Sequence, residues 1–498
     1  MFNALMTQAR QELRLPEPTP ATPGEAAVAT PMRGVMGGGP AVAAAPVDGA
    51  LDFDARAIKP DAISRDIRTL GGKWRPGAQA LNDVATGRGT MLSPDAVAAA
   101  RPFQAQADAH VSAMFVDAAA RGQDHMPRAP RTTGNSVKLL VRNEAYLPEL
   151  YRDLPKAQRS ITINQFNWEP DGSGRKVIDM LKERAQAGVD VRITVDGYGF
   201  REKGFKAARA LQNELEAAGV KLERSWGFVP KQGWEHRKMI VIDDAISYSG
   251  GLGFGAKYDT WTDLMMRVEG PGGAVAGTNA LATWRDLAGP LDANAAARLH
   301  GNLETLSRSA AERAAVGETG AAVTFLENRP KSDLAATESF LRDAKISKDR
   351  FWATSTNVTT PTAVDAMIEA ANRGVDVKLV VSGPEVGNDV KTIMLGRSHY
   401  QRMLDAGVEI FERTEGIMHA KSWIADDVAT VGSMNLSHSS MTRAREVMAR
   451  VEDAGFADDY VKFHTMIRGE ARQVTPALLQ TTEMKALSFA RKLVGLRF

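Results

Sequence analysis

From Ser136 onward the hydrophobic and polar positions follow two alternating patterns, and this predicts strands separated by helices. Runs of five to seven residues rich in valine and isoleucine predict strands, and amphipathic runs between them predict helices. In the first part of this region the predicted strands are 137–141, 160–165, 189–195 and 220–224, and the predicted helices are 175–187 and 204–218. The alternation favours an α/β fold with a mixed, mostly parallel sheet and helices on both faces.

The same pattern occurs a second time about 186 residues further along the chain. The segment 181–197 (LKERAQAGVDVRITVDG) resembles 367–383 (MIEAANRGVDVKLVVSG), and 215–224 (LEAAGVKLER) resembles 404–413 (LDAGVEIFER). In both copies a glycine follows a helix and a valine-rich strand comes next, as expected when glycine caps the helix. We therefore predict two copies of one domain, each of roughly 180 residues.

Composition and the repeat together divide the chain into six predicted segments. Residues 1–50 contain 11 Ala, 7 Pro and 6 Gly, a composition that cannot bury enough apolar surface to offset chain entropy. We interpret these first 50 residues as a flexible leader or as a translocation signal. The C-terminal tail (471–498) is interpreted as a packed helix or as an anchor for anionic lipid. The predicted segments are a disordered leader (1–50), a helical extension (51–133), the first domain (134–290), a linker helix (291–320), the second domain (321–470) and a basic amphipathic tail (471–498).

The overall composition excludes several kinds of chemistry. The chain has no cysteine, which excludes disulfides, thiolate metal sites, iron–sulfur clusters and a cysteine nucleophile. Its 62 Lys and Arg nearly balance its 60 Asp and Glu, so no global charge favours a nucleic-acid partner. No run approaches the ~18 apolar residues of a membrane-spanning helix. Any contact with a membrane is therefore expected at its surface.

Each copy carries a histidine, a lysine two residues later and an aspartate five residues after the lysine. Residues i and i+2 of a strand project from the same face, so the histidine and lysine of each copy can point into one site. Two lysines would neutralise charge developing on phosphorus, and two histidines would divide nucleophilic and acid–base work. The six residues are His236, Lys238 and Asp243 in copy one and His419, Lys421 and Asp426 in copy two.

A turn of small residues follows each motif, GGLG at 250–253 and GSMN at 432–435. Small residues let a bulky anionic group approach the backbone, and the Asn435 amide can donate a hydrogen bond to a phosphoryl oxygen. Gly251, Ser433 and Asn435 are therefore candidate phosphate-binding residues.

At this point the sequence resembles the phospholipase D superfamily, whose signature is the duplicated H-x-K-x4-D motif followed by G-[GS]-x-N. The resemblance covers about 136–459 and is greatest to the bacterial cardiolipin synthase branch. It implies two duplicated phospholipase D-like domains related by a pseudo-two-fold axis. The runs that match this branch are Trp261–Asp263, Arg267–Pro271, Trp284, Arg397–Tyr400 and Asp405–Val408.

The resemblance also implies residue roles. His236 would attack phosphorus and become a phosphohistidine, and His419 would act as acid and base. Lys238, Lys421 and Asn435 would hold phosphoryl oxygens. A later carboxylate would orient each histidine, with Asp263 in the matching place in copy one and Glu446 in copy two, while Asp243 and Asp426 would be structural. Neither a metal nor a cofactor is implied. The chain departs from the pattern at Gly253 and Ala444, where asparagine is usual.

These features predict a phospholipid phosphodiesterase or phosphatidyltransferase that acts on phospholipid at a membrane surface with an alcohol or water as acceptor. The alternatives are a nuclease of the same superfamily and a degenerate lipid-binding or secreted effector protein. No nucleic-acid partner is expected at this net charge. We expect a monomer located in the cytoplasm or at the periphery of the inner membrane, with secretion as the alternative.

Overall fold

The computed structural model describes residues 129–202, 204–226, 233–316, 319–329, 333–386 and 390–479. The predicted leader, all but the last five residues of the predicted helical extension, and the tail beyond residue 479 lie outside the described residues. The division into six segments therefore stays a prediction.

The first copy of the repeat folds into a sheet with helices beside it. Its elements are β1 (Thr132–Val141), α1 (Arg142–Asp153), β2 (Ser160–Gln165), α2 (Gly172–Gln186), β3 (Asp190–Asp196), α3 (Phe205–Ala217), β4 (Lys221–Ser225), β5 (Trp234–Glu235), β6 (Lys238–Ile242), β7 (Ile246–Gly250), β8 (Leu264–Glu269) and α4 (Pro271–Ala288). The strands and helices predicted between residues 137 and 224 are confirmed.

A long helix, α5 (Ala293–Val316), connects the first copy to the second. The second copy contains β9 (Ala321–Arg329), β10 (Asp333–Leu334), α6 (Ala335–Ile346), β11 (Arg350–Thr354), α7 (Pro361–Asn372), β12 (Asp376–Ser382), α8 (Val390–Arg397), α9 (Tyr400–Asp405), β13 (Glu409–Arg413), β14 (Lys421–Ala425), β15 (Val428–Gly432), α10 (His438–Thr442), β16 (Ala444–Glu452), α11 (Ala454–Gly469), β17 (Arg472–Gln473) and α12 (Pro476–Leu479).

The two sheets have the same strand order. In the first copy it is β4-β3-β2-β6-β7-β8-β1, and in the second it is β13-β12-β11-β14-β15-β16-β9. The sheets also meet edge to edge, because Thr132 of β1 pairs with Val323 of β9. The duplicated α/β architecture is confirmed.

Parallel pairing is less extensive than the sequence pattern suggested. Only β2–β3 and β3–β4 in the first sheet, and β11–β12 and β12–β13 in the second, are parallel among the described pairs of these sheets. The reason is visible in the connections: the turn between β6 and β7 is three residues long, and so short a turn can join only antiparallel neighbours. The expectation of a mostly parallel sheet was wrong in this respect.

Successive side chains of the strands point to different cores, and this alternation arranges the molecule in layers. On β6, Met239 and Val241 face a central core, while Ile240 and Ile242 face an outer core with α2 and α3. The central core combines residues of both sheets with residues of α4 and α11. The layers therefore run helices, sheet, helices, sheet, helices, with the two halves sharing the middle layer. Among the described residues, no helix is long and apolar enough to cross a bilayer.

Candidate active site

The motif aspartates fix the far end of each motif strand. The backbone φ angles of Asp243 (52°) and Asp426 (51°) are positive, which places each residue in a tight turn. Each carboxylate accepts hydrogen bonds from three consecutive backbone N–H groups at the start of the neighbouring strand. The donors are Gln158, Arg159 and Ser160 to Asp243, and Lys348, Asp349 and Arg350 to Asp426. This is the geometry expected of structural residues.

At the other end of each motif strand, the chain pairs with a segment of the opposite half. The backbone N–H of His236 donates to the carbonyl of Arg445 (3.1 Å), and that of His419 donates to the carbonyl of Thr262 (2.8 Å). The short strand β5 also runs parallel to the start of β16. Each histidine is thereby held beside the chain segment that carries the carboxylate of the other copy.

As a result, the histidine–carboxylate pairs are crossed between the copies. Nδ1 of His236 lies 2.8 Å from Oε1 and 3.0 Å from Oε2 of Glu446, and Nδ1 of His419 lies 2.5 Å from Oδ2 of Asp263. Pairing within each copy, as the resemblance implied, would instead have matched His236 with Asp263 and His419 with Glu446. With Nδ1–H donating to a carboxylate, the Nε2 atom of each neutral ring keeps its lone pair for chemistry.

Burial lowers the pKa of both histidines. The pKa of His419 falls to about 3, first because of burial and then because of the charge of Lys421. The pKa of His236 is also lowered, first by burial, although Glu446 counteracts this. Each ring also feels the lysine of the opposite half, Lys421 for His236 and Lys238 for His419. The structure therefore brings the residues of both motifs into one site, where burial disfavours the protonated form of both rings.

The two motif lysines are buried beneath the histidines. Nζ of Lys238 donates to the carbonyl of His236 (2.6 Å), and Nζ of Lys421 donates to the carbonyl of His419 and to Oγ1 of Thr356 (3.3 Å). Burial lowers the pKa of Lys238 to about 8 and that of Lys421 to about 7. A bound phosphoryl group would supply the negative charge that these ammonium groups need to stay protonated.

Aromatic rings flank both histidines. The Phe166 ring is 5.1 Å from the His236 ring, and the Trp261 ring is 4.6 Å from the His419 ring, between centroids. Phe166 and Thr356 were not predicted from the sequence. Trp261 was identified only as part of a run that matches the cardiolipin synthase branch. Phe166 follows β2 directly and Thr356 follows β11 by two residues, at the strand ends beside the motif lysines. That position was the signal that could have identified them.

Two of the three candidate phosphate-binding residues, Ser433 and Gly251, lie against the site carboxylates. The Ser433 hydroxyl donates to Oε2 of Glu446 (2.5 Å), so it holds the carboxylate instead of facing a phosphate. A Cβ atom at Gly251 would lie 2.2 Å from Oδ1 of Asp263, so glycine here makes room for the carboxylate. The expected phosphate role of these two residues is therefore corrected to a role in packing and orienting the carboxylates.

Asn435 remains the candidate donor to phosphate. Its side chain is half-buried, and its Oδ1 has no hydrogen-bond partner among the described residues. At the equivalent position of the first copy, a Cβ atom on Gly253 would lie 2.4 Å from the ring of Tyr258. The Tyr258 hydroxyl donates to Oδ1 of Asn167 (2.5 Å). Tyr258 thus fills the space that an asparagine side chain would need in the first half.

A metal site in the described part of the chain would need several ligating side chains close together. No group of three or more His, Cys, Asp or Glu side chains in the described ranges is arranged to hold a metal ion. The prediction that the site works without a metal or cofactor stays a prediction.

Known proteins resemble this chain across both halves of the site. A family model described as cardiolipin synthase, PLD-like domain, matches residues 150–272 and 340–467, about half of the chain. Cardiolipin synthase A of Cronobacter sakazakii is 28% identical over 347 residues, which cover 66% of this chain and 68% of that protein. Cardiolipin synthase A of Yersinia pseudotuberculosis is 26% identical over 378 residues, 70% of this chain and 74% of that protein.

The fold is also similar to that of a solved structure. Phosphatidylserine synthase of Haemophilus influenzae Rd KW20 matches with a TM-score of 0.55 at 13% identity, covering 76% of this chain and 97% of that chain. At this identity the match concerns the fold. The family match and the duplicated site together show that the chain belongs to the cardiolipin synthase family of PLD-like proteins and is an enzyme.

Proposed function

We propose that this enzyme transfers a phosphatidyl group from a phospholipid to an alcohol or water through a phosphohistidine. The observation that carries the proposal is the pair of crossed histidine–carboxylate contacts, each above a buried lysine. The contacts fix both rings in the tautomer with a free Nε2, and the lysines supply positive charge for a phosphoryl group. The names of the relatives and of the structural neighbour support a phospholipid substrate.

In the first step, Nε2 of His236 attacks phosphorus while the bond from phosphorus to the leaving alcohol breaks. His419 donates a proton to the departing oxygen, so the alcohol leaves neutral. The low pKa of His419 in the free protein means that this ring must gain a proton as substrate binds. The negative charge of the phosphodiester raises the pKa of a ring beside it and so favours this protonation.

In the second step, the neutral His419 accepts a proton from the incoming alcohol or water. The acceptor oxygen attacks phosphorus, the bond from phosphorus to Nε2 of His236 breaks, and the free enzyme is restored. Lys238, Lys421 and Asn435 would hold the phosphoryl oxygens in both steps. Glu446 and Asp263 would keep the two rings oriented throughout.

The assignment of the two histidines follows the family, and one observation favours the reverse order. Lys421 lowers the pKa of His419, whereas Glu446 is the second-largest influence on His236 and raises its pKa. His236 therefore holds a proton more readily than His419 does. A trapping experiment separates the two orders, because only the nucleophile becomes covalently labelled.

The test uses vesicles of phosphatidylglycerol labelled at phosphorus, with and without glycerol as acceptor. We expect cardiolipin or phosphatidic acid from the unmodified enzyme and neither from His419→Ala. An acid-labile phosphate should remain on His236 in that variant if the family order holds, and on His419 in His236→Ala if the order is reversed. Equal products from the unmodified enzyme and His419→Ala would refute the proposal.

Two control reactions address the alternative functions. DNA is incubated with the enzyme in chelator, since the superfamily chemistry needs no metal. Cleavage of DNA with no lipid turnover would establish the nuclease instead. Binding of lipid with no turnover and no labelled histidine would establish a non-catalytic lipid-binding protein.

A further inference from the structure

Four large hydrophobic side chains are exposed among the described residues: Tyr198 (68%), Phe205 (72%), Trp234 (38%) and Met466 (40%). Met466 belongs to α11, whereas the other three lie in the segment after β3, at the start of α3 and on β5. The rings of Tyr198 and Trp234 contact each other edge to face at 5.9 Å between centroids. Arg201 lies in the same turn, since its backbone N–H donates to the carbonyl of Tyr198 (3.0 Å), and its guanidinium lies 4.1 Å from the Phe205 ring and 4.5 Å from the Trp226 ring. We call Tyr198, Arg201, Phe205, Trp226 and Trp234 the aromatic patch; Met466 is not part of it.

The aromatic patch is held in place by the loop that follows β3. The buried carboxylate of Asp196 accepts hydrogen bonds from the backbone N–H groups of Tyr198 (2.9 Å), Gly199 (2.9 Å) and Glu235 (3.1 Å). This single side chain therefore ties the loop after β3 to β5. Arg201 in turn donates through Nε to the carbonyl of Gly197 (2.6 Å). The rings are exposed although their backbone is fixed, which is the property of a preformed contact surface.

The aromatic patch adjoins the active site through Trp234. Exposure alternates along this extended segment: Trp234 is exposed, Glu235 is fully buried and His236 is partly exposed. Trp234 and His236 therefore project toward the same side of the chain. A surface that contacts the Trp234 ring would therefore lie on the side of the chain toward which His236 projects.

The charges around the aromatic patch are mainly positive. Arg201 lies among the rings, and Lys206 and Arg209 are exposed at the start of α3. The nearby acid Glu202 is paired with Lys257, whose Nζ lies 2.8 Å away and also contacts Glu169 at 2.7 Å. Exposed aromatic rings with interspersed cations are characteristic of protein surfaces that enter the headgroup region of a membrane containing anionic lipid.

We propose that the aromatic patch docks the enzyme on an anionic lipid bilayer and places the exposed side of His236 toward the membrane surface. The choice of a bilayer as the partner rests on the proposed function, since a phospholipid substrate resides there. None of the described helices could cross a bilayer, and docking would bring the catalytic residues to the lipid. The rings would bury their apolar edges among the headgroups, and the cations would attract anionic phosphate groups.

The test compares Tyr198→Ser/Phe205→Ser with Met466→Ser, a matched control at the exposed hydrophobic residue outside the aromatic patch. Both changes are made in the His419→Ala background, so binding is measured without turnover. Cosedimentation with phosphatidylglycerol vesicles should fall about tenfold for the double variant and stay unchanged for Met466→Ser. Binding to phosphatidylcholine vesicles should be weaker than to phosphatidylglycerol vesicles for the His419→Ala parent. Circular dichroism melting verifies that each variant is folded.

Two results would overturn the docking proposal. One is vesicle binding by the folded double variant that equals that of its parent, and the other is equal binding of the parent to both kinds of vesicle. Activity of otherwise unmodified enzyme on a short-chain, monodisperse phosphatidylglycerol distinguishes this failure from failure of the proposed function. Tyr198→Ser/Phe205→Ser made without the His419→Ala change should keep that activity. If the unmodified enzyme lacks it and also leaves vesicle lipid unchanged, the proposed function fails while the docking result stands.

Discussion

The two halves of the site perform the same task with different residues. In the second half Glu446 orients a histidine and is itself held by the hydroxyl of Ser433. In the first half the shorter Asp263 does this work, and a glycine replaces the serine because a Cβ atom there would collide with the carboxylate. Oδ1 of Asp263 is held by the backbone N–H of Leu264 (2.8 Å) instead. Serine with glutamate and glycine with aspartate are thus two matched solutions for fixing a carboxylate.

The crossed contacts between the halves make the strongest prediction. Asp263→Asn and Glu446→Gln each leave a ring without the partner that fixes its tautomer, and we expect activity to fall by roughly 10³ to 10⁴. Asp263→Asn should change the NMR titration of the His419 ring and leave that of His236 nearly unchanged, and Glu446→Gln should do the reverse. Spectra of histidine-labelled protein measure this. Effects confined to the histidine of the same copy would contradict the crossed arrangement.

The matched pairs at the turns predict unequal costs for equivalent substitutions. Gly251→Ala forces a Cβ atom against the Asp263 carboxylate, so we expect roughly a hundredfold loss of kcat. Ser433→Ala removes one hydrogen bond to the Glu446 carboxylate, and we expect roughly a tenfold loss. Steady-state kinetics on vesicles measure both. Similar losses for the two variants would show that the halves fix their carboxylates alike, contrary to the structure.

The lysines of the two halves predict a pH profile. With pKa values of about 7 for Lys421 and about 8 for Lys238, both lose their proton as pH rises through this range. His419 must also gain a proton for catalysis and its pKa in the free protein is about 3, so kcat/KM, which reports the free enzyme, should already fall with pH below 7. It should fall more steeply above pH 7, where Lys421 loses its proton. Lys421→Arg keeps its charge, so the steeper fall should begin about one unit higher, near the pKa of Lys238. A profile for Lys421→Arg that steepens at the same pH as that of the unmodified enzyme would contradict this assignment.

The same lysines make the free energy of unfolding rise with pH, whereas they make activity fall. Their pKa in the folded protein is below the ordinary value of 10.5, so the unfolded chain binds more protons between pH 7 and 10.5. The contribution of these lysines to the free energy of unfolding therefore rises with pH in this range. Lys421→Met, which cannot be protonated, should weaken this rise in urea denaturation at several pH values.

The sequence predicted those features of the site that lie close together in the chain. The motif spacing identified His236 and Lys238, and the repeat located their counterparts, because both depend on local periodicity. It did not predict the partner of each histidine, since that depends on how two distant segments pair, as Thr262 does with the backbone of His419. It also could not place Tyr258 in the space beside Gly253, because nothing in the spacing of these residues indicates contact.

The last difference between the halves concerns the faces of the two sheets toward the central layer. In the first sheet Asn164, Thr194 and Ser249 are buried with side-chain atoms that have no hydrogen-bond partner among the described residues. Two of their counterparts in the second sheet are apolar, because Val380 takes the register position of Thr194 and Val431 that of Ser249. The polar face is therefore not a requirement of the fold, and buried polar groups of this kind usually bind ordered water.

This difference predicts a small and asymmetric effect on stability. Thr194→Val should lower the free energy of unfolding by about 1 kcal/mol or less, because one water loses a partner and an apolar group is gained. The reciprocal Val380→Thr places a hydroxyl in an apolar core, and we expect a larger loss of about 1–3 kcal/mol. Urea denaturation measures both, and a high-resolution crystal structure should show water bonded to the Asn164 amide. If no water is bonded to the Asn164 amide and Thr194→Val is clearly more stable than the unmodified enzyme, the prediction that this face of the first sheet binds water is wrong.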